Sequence, residues 1–212
     1  PLRGRAPHPG NMKSFLILFI ERYHEPMNCE LCLQETGSTA PRNIAGVKVC
    51  RACSTSDFLP TRLTGRGMHM GIWCRTADGT VIADLLEMEL AKDYTISSLG
   101  ESPHPSGIHA RLQFEGFGAK MAKIFEHEIQ IGDKAFDAMT WIRTNTKDET
   151  RAFLSMSKVQ AVIAELIAMK CEIDIDNAKL YVKAESNKAL APREFILHVA
   201  VLLHLLTEFS TP

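Results

Sequence analysis

The chain has 212 residues, a formal net charge of −1 and a sequence pI of about 6.8. Hydrophobic residues make up 45% of it and charged residues 23%, the balance of a soluble globular protein with enough apolar side chains for a sizeable core. No segment is strongly basic, which argues against a protein that binds nucleic acid or acidic membranes through its overall charge.

The amino end raises the question of targeting. Met12 and Lys13 precede a short apolar run, residues 14–20, which imitates the start of a signal peptide. The run is near the minimum length, charged residues follow at once, and no small-residue cleavage site is present. We therefore expect residues 1–26 to be a poorly ordered leader or docking segment, with Met27 beginning the functional chain. A targeting role is the alternative.

Four cysteines in two CxxC pairs form the most specific motif of the chain. They are Cys29 and Cys32, then Cys50 and Cys53, with seventeen residues between the pairs. Four thiolates at this spacing can close a tetrahedron around one Zn²⁺ and leave no open position for a reactive water. The motif predicts one structural zinc ion per chain. Two redox-active CxxC pairs are the alternative, but the sequence offers no thioredoxin-like strand and helix around them.

Residues 27–60 are expected to form a small zinc knuckle, in which the metal replaces a core that so short a segment cannot build. A strand is predicted over 47–49, and Ser54, Ser56 and Asp57 offer cap chemistry for a short helix or turn after the second pair. Knuckles joined by a hairpin would make a zinc ribbon, whereas a second knuckle that opens a helix would make a treble clef. The sequence favours the second arrangement and leaves both open.

Two further cysteines lie outside the motif. Cys74 and Cys171 each sit in an apolar run and are expected to be buried core residues. Metal-bound thiolates beside unpaired core cysteines are typical of a reducing compartment. We therefore expect the protein to be cytoplasmic.

A polar linker at 60–67 leads into a predicted α+β domain over residues 67–212. An Asp-Gly turn at 77–79 predicts a hairpin between the apolar runs 68–75 and 80–90. Residues 97–107 are predicted to form a loop, and strand character returns at 108–117 and 124–131.

The segment 103–109 places two histidines in one predicted loop. His104 and His109 could form a metal-ligand pair or supply a general base, which would make the protein an enzyme. An exposed loop is the simpler interpretation. No nucleophile elbow and no GxxxxGK[ST] phosphate-binding motif is present. A non-enzymatic protein is therefore favoured, and no small-molecule substrate is assignable.

The last eighty residues have the clearest order. A strand is predicted at 138–143, a helix opened by Thr146 follows, and a hairpin spans 172–183, its wet face including Asp174 and Asp176. Asp133 and Asp137 are interpreted as turn and cap residues. The helical stripe consists of Val159, Val162, Ile163, Leu166 and Ile167.

A final helix is predicted from Pro192 to Phe209, with proline in its first turn. Apolar residues spread around much of its circumference. The helix is expected either to be buried on two sides within its own domain or to form a subunit interface. Because His198 and His204 interrupt the apolar run, it does not suit a membrane span.

Residues 124–185 contain a series of loose motifs whose order resembles that of a known domain family. A Phe-Asp pair in Ala135-Phe136-Asp137 precedes the aromatic strand Trp141-Ile142-Arg143, the Ala-x-x-Leu-type helix Glu149–Leu154 and an Asn-turn hairpin. This order resembles a bacterial domain family of unknown function. The resemblance implies a non-catalytic protein and carries over no functional residue. Many relatives are attached to membrane segments, of which this chain shows no convincing example.

Together these features predict an α+β protein: a zinc knuckle, of treble-clef or ribbon type, followed by a mixed domain of antiparallel hairpins and packed helices. The expected role is non-enzymatic binding or assembly with a protein partner or with itself. A nucleic-acid-associated factor that uses the knuckle is the alternative. The basic residues Arg42, Lys48 and Arg51 of the knuckle are partly offset by Glu30 and Glu35.

Overall fold

The computed structural model describes residues 28–34, 40–55, 63, 67–76, 78–82, 88, 94–114, 129–185 and 191–211. The predicted leader at 1–26 and most of the linker at 60–67 lie outside these residues. The strands and helices with described bounds are β1 (Arg42–Ile44), β2 (Val47–Val49), α1 (Arg51–Thr55), β3 (His69–Thr76), β4 (Val81–Ile82), β5 (Tyr94–Glu101), β6 (His109–Phe114), α2 (Lys134–Met139), β7 (Thr140–Thr144), α3 (Lys147–Leu154), α4 (Ser157–Ala168), β8 (Glu172–Asp176), β9 (Lys179–Glu185) and α5 (Pro192–Phe209).

The fold is α+β, as predicted. A small hairpin, β1–β2, belongs to the knuckle, and the other strands with described bounds form one seven-stranded sheet in the order β4-β3-β5-β9-β8-β6-β7. All its neighbouring strands run antiparallel. Helices α4 and α5 pack against each other over one face of this sheet, α5 against β5 and α4 against β6.

Because side chains alternate along each strand, the sheet has a buried face and a second face that is largely exposed, although Ser97 and Trp141 on it are buried. The inner face, under the helices, holds fully buried Ile96, Leu112, Ile173 and Val182. Helix α5 approaches this face closely at Gly100 of β5, since a Cβ atom added to Gly100 would lie 2.9 Å from Leu203 Cδ2. Only glycine lets the helix and strand approach so closely.

The outer face of the sheet carries an aromatic pair within a field of mixed charge. Trp73 and Tyr181 are each 37% exposed, and their ring centroids lie 6.4 Å apart. Five acidic and five basic side chains share this face across the registered strands. They are Glu101, Glu172, Asp174, Asp176 and Glu185, and Arg75, Arg111, Arg143, Lys179 and Lys183.

The predicted loop at 97–107 is wrong over its first half, because β5 runs from Tyr94 to Glu101. Serine and glycine are weak strand formers, but β5 lies between β3 and β9, so its backbone groups find partners on both sides. The Ser98 hydroxyl donates to the carbonyl of Gly71 at 3.1 Å. Only residues 102–108 form the loop.

Other predictions hold with shifted boundaries. The Asp-Gly turn joins β3 to β4, the 172–183 hairpin is β8–β9, and α5 begins at Pro192. The strand predicted at 138–143 is β7, preceded by α2, a helix the sequence reasoning missed. A break at residues 155–156 separates α3 from α4, and the helical stripe belongs to α4. Of the predicted strand at 124–131, only 129–131 are described, and these residues are not a strand.

The last helix is buried on more than one side. Its residues 197–207 are all buried, including His198 and His204. It packs on β5 and α4, and α1 of the knuckle packs against it as well. Across the described residues, no helix is both long enough and apolar enough to cross a bilayer.

Candidate metal centre

The first cysteine pair lies in a tight turn held by backbone hydrogen bonds. Cys29 N donates to Gln34 O at 2.9 Å, and Leu33 N donates to Cys29 O at 2.8 Å. Leu33 adopts a left-handed backbone conformation with φ of 59°, which closes the turn. Glu30 ties the turn to β2, because its N–H donates to Lys48 O at 2.8 Å and its carboxylate accepts from Lys48 N at 3.1 Å.

The β1–β2 hairpin carries the chain to the second pair. Its two turn residues, Ala45 and Gly46, both have positive φ, as two-residue turns that match the twist of the strands require. The side chain of Asn43 accepts from Gly46 N at 2.7 Å and stabilises this turn. The paired strands place Cys50 directly after β2.

The second pair opens a helix. Cys50 precedes α1 and Cys53 lies within it. A helix already begins at Arg51, and the Ser54 hydroxyl donates to the Arg51 carbonyl at 3.0 Å. The short helix or turn expected after Cys53 stays a prediction, because the residues directly after Thr55 lie outside the described part of the chain. The other two predicted cap residues, Ser56 and Asp57, lie outside the described residues.

The structure brings all four predicted cysteines together. Their sulfur atoms lie within 4.8 Å of one another, and Cys32 Sγ is 3.9 Å from Cys50 Sγ. Four sulfurs placed at about 2.3 Å from one Zn²⁺ would be roughly 3.8 Å apart in a regular tetrahedron. Three of the cysteines are buried and Cys32 is partly exposed. The cluster can hold a metal ion.

Backbone N–H groups point at the sulfurs. Cys50 N donates to Cys29 Sγ and Cys53 N donates to Cys50 Sγ, each at 3.3 Å. Such donors stabilise negative charge on sulfur and orient the ligands around a metal. The donor set therefore fits a soft divalent cation bound by thiolates.

The four thiols influence one another's ionisation. A hydrogen bond from the Cys53 thiol lowers the pKa of Cys29 to about 4, although burial acts in the opposite direction. The same hydrogen bond, together with burial, raises the pKa of Cys53, and burial raises the pKa of Cys32. Buried sulfurs this close together lose their protons together only where a cation neutralises them.

The other predicted candidates do not join this centre. His104 is exposed in the 102–108 loop, whereas His109 lies on β6, where its Nδ1 atom is 2.6 Å from Asp176 Oδ1. Asp174 and Asp176 are exposed on the outer sheet face, as predicted. Cys74 and Cys171 are buried, and burial raises the pKa of both thiols, that of Cys171 to about 12.

Charged residues hold the knuckle on the helical layer through contacts that the sequence did not predict. Arg42 forms a two-bond ion pair with Glu194 of α5, with N–O distances of 2.9 and 2.8 Å. A carboxylate oxygen of Glu30 lies 3.7 Å from Lys158 Nζ of α4 and 3.9 Å from His204 Nε2 of α5. No motif marks these residues, because the partners are more than one hundred residues apart in sequence.

Comparison with known proteins gives no relative for the chain. No protein-family model matches it, and neither the curated proteins nor the solved structures provide a match. The likeness of residues 124–185 to a bacterial domain family therefore finds no support beyond its loose motifs. Functional interpretation rests on the geometry of the chain itself.

Proposed function

We propose that this chain is a non-enzymatic, cytoplasmic protein with one structural zinc ion, and that it acts in binding or assembly. The observation that carries the proposal is the cluster of four cysteine sulfurs within 4.8 Å. Zn²⁺ with four protein thiolates has no position left for water or substrate, so the ion would stabilise the knuckle rather than react. A second pair that opens α1 favours a treble clef over a zinc ribbon.

The coordination sphere tests the structural role. In zinc-loaded protein, X-ray absorption at the zinc edge should give a shell of four sulfurs at about 2.3 Å. A shell of three sulfurs with one oxygen or nitrogen would mean an open coordination position. That result would contradict the structural role and revive a catalytic one.

For the binding role, we assign the outer face of the sheet as the contact surface and a second copy of the chain as its partner. The exposed pair Trp73 and Tyr181 supplies aromatic anchors of the kind enriched at interfaces. The five acidic and five basic side chains around it suit a surface that also carries both signs, as a second copy does in an isologous dimer.

Sedimentation velocity at increasing protein concentration tests this assignment. The zinc-loaded wild type should dimerise, and the double variant Trp73→Ser/Tyr181→Ser should remain monomeric. Phe114→Ser is the matched control, because Phe114 is 51% exposed but lies at the end of β6 on the opposite face of the sheet. A wild type that stays monomeric at the highest attainable concentration would contradict the assignment.

The alternative, a nucleic-acid-associated factor, has less support. In the knuckle, which this alternative would use, Arg42 already pairs with Glu194 of α5. On the outer sheet face, Arg111 lies 3.2 Å from Glu172 and Lys183 lies 3.9 Å from Glu185. A polyanion would have to displace these partners. Fluorescence anisotropy with a labelled single-stranded oligonucleotide should show no binding at 50 or 200 mM salt. Tight binding that weakens steeply between these two concentrations would favour the alternative.

A further inference from the structure

One side of α5 is covered by the knuckle rather than by the sheet. Leu203 faces β5, where it meets Gly100. Other positions of the helix contact the knuckle: Arg193 donates to Thr55 O at 3.1 Å, Glu194 pairs with Arg42, and His204 lies near Glu30. Helix α5 therefore lies between the sheet, helix α4 and the metal-binding unit.

Apolar side chains lie along the covered side. Leu197 and Val201 follow Arg193 at intervals of four residues, and His204 comes three residues after Val201. Residues at this spacing share one face of a helix. Leu197 is 2% exposed and Val201 is fully buried, although neither is on the side that faces β5. We call these two residues the covered stripe.

The knuckle has little of its own with which to stay folded over this stripe. Its two strands have three residues each and α1 has five. So small a unit depends on its metal for folding. Its contacts with the helices, including the close approach of Gly46 to the Lys158 side chain, require the folded hairpin.

We propose that metal occupancy of the four cysteines controls whether the covered stripe of α5 is hidden or accessible. With the metal bound, the knuckle is folded and docked. Loss of the metal unfolds the knuckle and exposes Leu197 and Val201, while the sheet side of α5 stays packed. The dependence on metal rests on the proposed metal centre, whereas the docking of the knuckle over α5 does not.

Site-specific thiol labelling tests the proposal. Val201→Cys places a probe in the covered stripe, and Val199→Cys is the matched control, because Val199 is equally buried but lies one turn before Leu203 on the sheet side. Each variant is pulse-labelled with N-ethylmaleimide, with and without prior removal of metal by a chelator under reducing conditions. Peptide mass spectrometry then separates the probe from the native cysteines.

Metal removal should raise the labelling rate at position 201 by roughly tenfold or more, and leave position 199 protected. Protection of position 201 in the metal-free protein would overturn the proposal. Equal labelling of the two positions would also overturn it, because the whole domain would then open rather than the knuckle alone.

Charge reversal tests the cover without touching the metal ligands. In protein as purified and carrying Val201→Cys, Arg42→Glu or Glu194→Arg alone should raise labelling by roughly two- to fivefold, because like charges then face each other. The double reversal should restore protection. Equal labelling of all these variants would contradict the docking of the knuckle over the covered stripe. If the protein contains no zinc but shows these differences in labelling, the proposed zinc centre is refuted and the docking of the knuckle over α5 is supported. Failure of the zinc centre and failure of the docking are therefore distinguishable.

Discussion

Replacement of Gly100 by alanine should destabilise the protein by roughly 1 kcal/mol. The new Cβ would lie 2.9 Å from Leu203 Cδ2 and 3.1 Å from Cδ1, both tighter than ordinary van der Waals contact. Leu203 is fully buried and has little room to move. Overpacking of this kind costs about 1–3 kcal/mol, and the removal of glycine's extra backbone freedom recovers about 0.5–1 kcal/mol.

Gly71→Ala is the matched control for this prediction. Gly71 lies on the neighbouring strand β3 but faces outward, and its added Cβ would meet only Trp73 Cζ3, at 3.7 Å. This variant should be neutral or more stable by up to about 0.5–1 kcal/mol. Urea unfolding followed by circular dichroism gives both free energies of unfolding.

A double variant tests the stated cause. Gly100→Ala combined with Leu203→Ala should lose less stability than the sum of the two single variants, because the truncated side chain makes room for the new methyl group. Additive losses, or a Gly100→Ala protein as stable as the Gly71→Ala protein, would refute the packing of α5 on β5 described above.

Three further predictions concern the N-cap of α2, the buried thiol of Cys171 and the pH dependence of zinc binding. Asp133 accepts from Ala135 N at 2.9 Å and Phe136 N at 3.0 Å at the start of α2, so Asp133→Ala should cost about 1 kcal/mol in urea unfolding; Asp133→Asn, which keeps the acceptor, should cost much less. Cys171, whose pKa is raised by burial to about 12, should resist iodoacetamide at pH 8 until the protein unfolds; rapid alkylation of folded protein would contradict its placement. Because thiols must lose protons to bind a metal, retention of zinc against a chelator should fall as the pH is lowered; retention independent of pH would contradict thiolate ligation.

The sequence predicted best what depends on residues close together in the chain. Two CxxC pairs separated by seventeen residues were enough to predict the sulfur cluster, because the intervening hairpin is short. The turn at 77–79, the 172–183 hairpin and the start of α5 at Pro192 also have local signals. Asp133 caps α2, and Asp137 accepts from the N–H groups of Ile131 and Gly132, as their cap and turn interpretation expected.

Features that depend on distant partners escaped prediction. Strand β5 was mistaken for a loop because the β9 strand that pairs with it is about eighty residues later in the chain. The docking contacts of Arg42 and Glu30 with α4 and α5 have no sequence pattern at all. Nor does a short apolar run show which element will cover it, so the two interpretations of α5 could be weighed only when its neighbours were known. The division into units at 27–60 and 67–212 stays a prediction.

Native mass spectrometry, combined with metal analysis, tests the central claim most directly. We expect one zinc ion per chain in the folded protein, and loss of that ion when Cys29 or Cys53 is replaced by serine. Cys171→Ser, outside the cluster, should retain the full zinc content. A wild-type protein that is fully folded, knuckle included, without any bound metal would contradict the account.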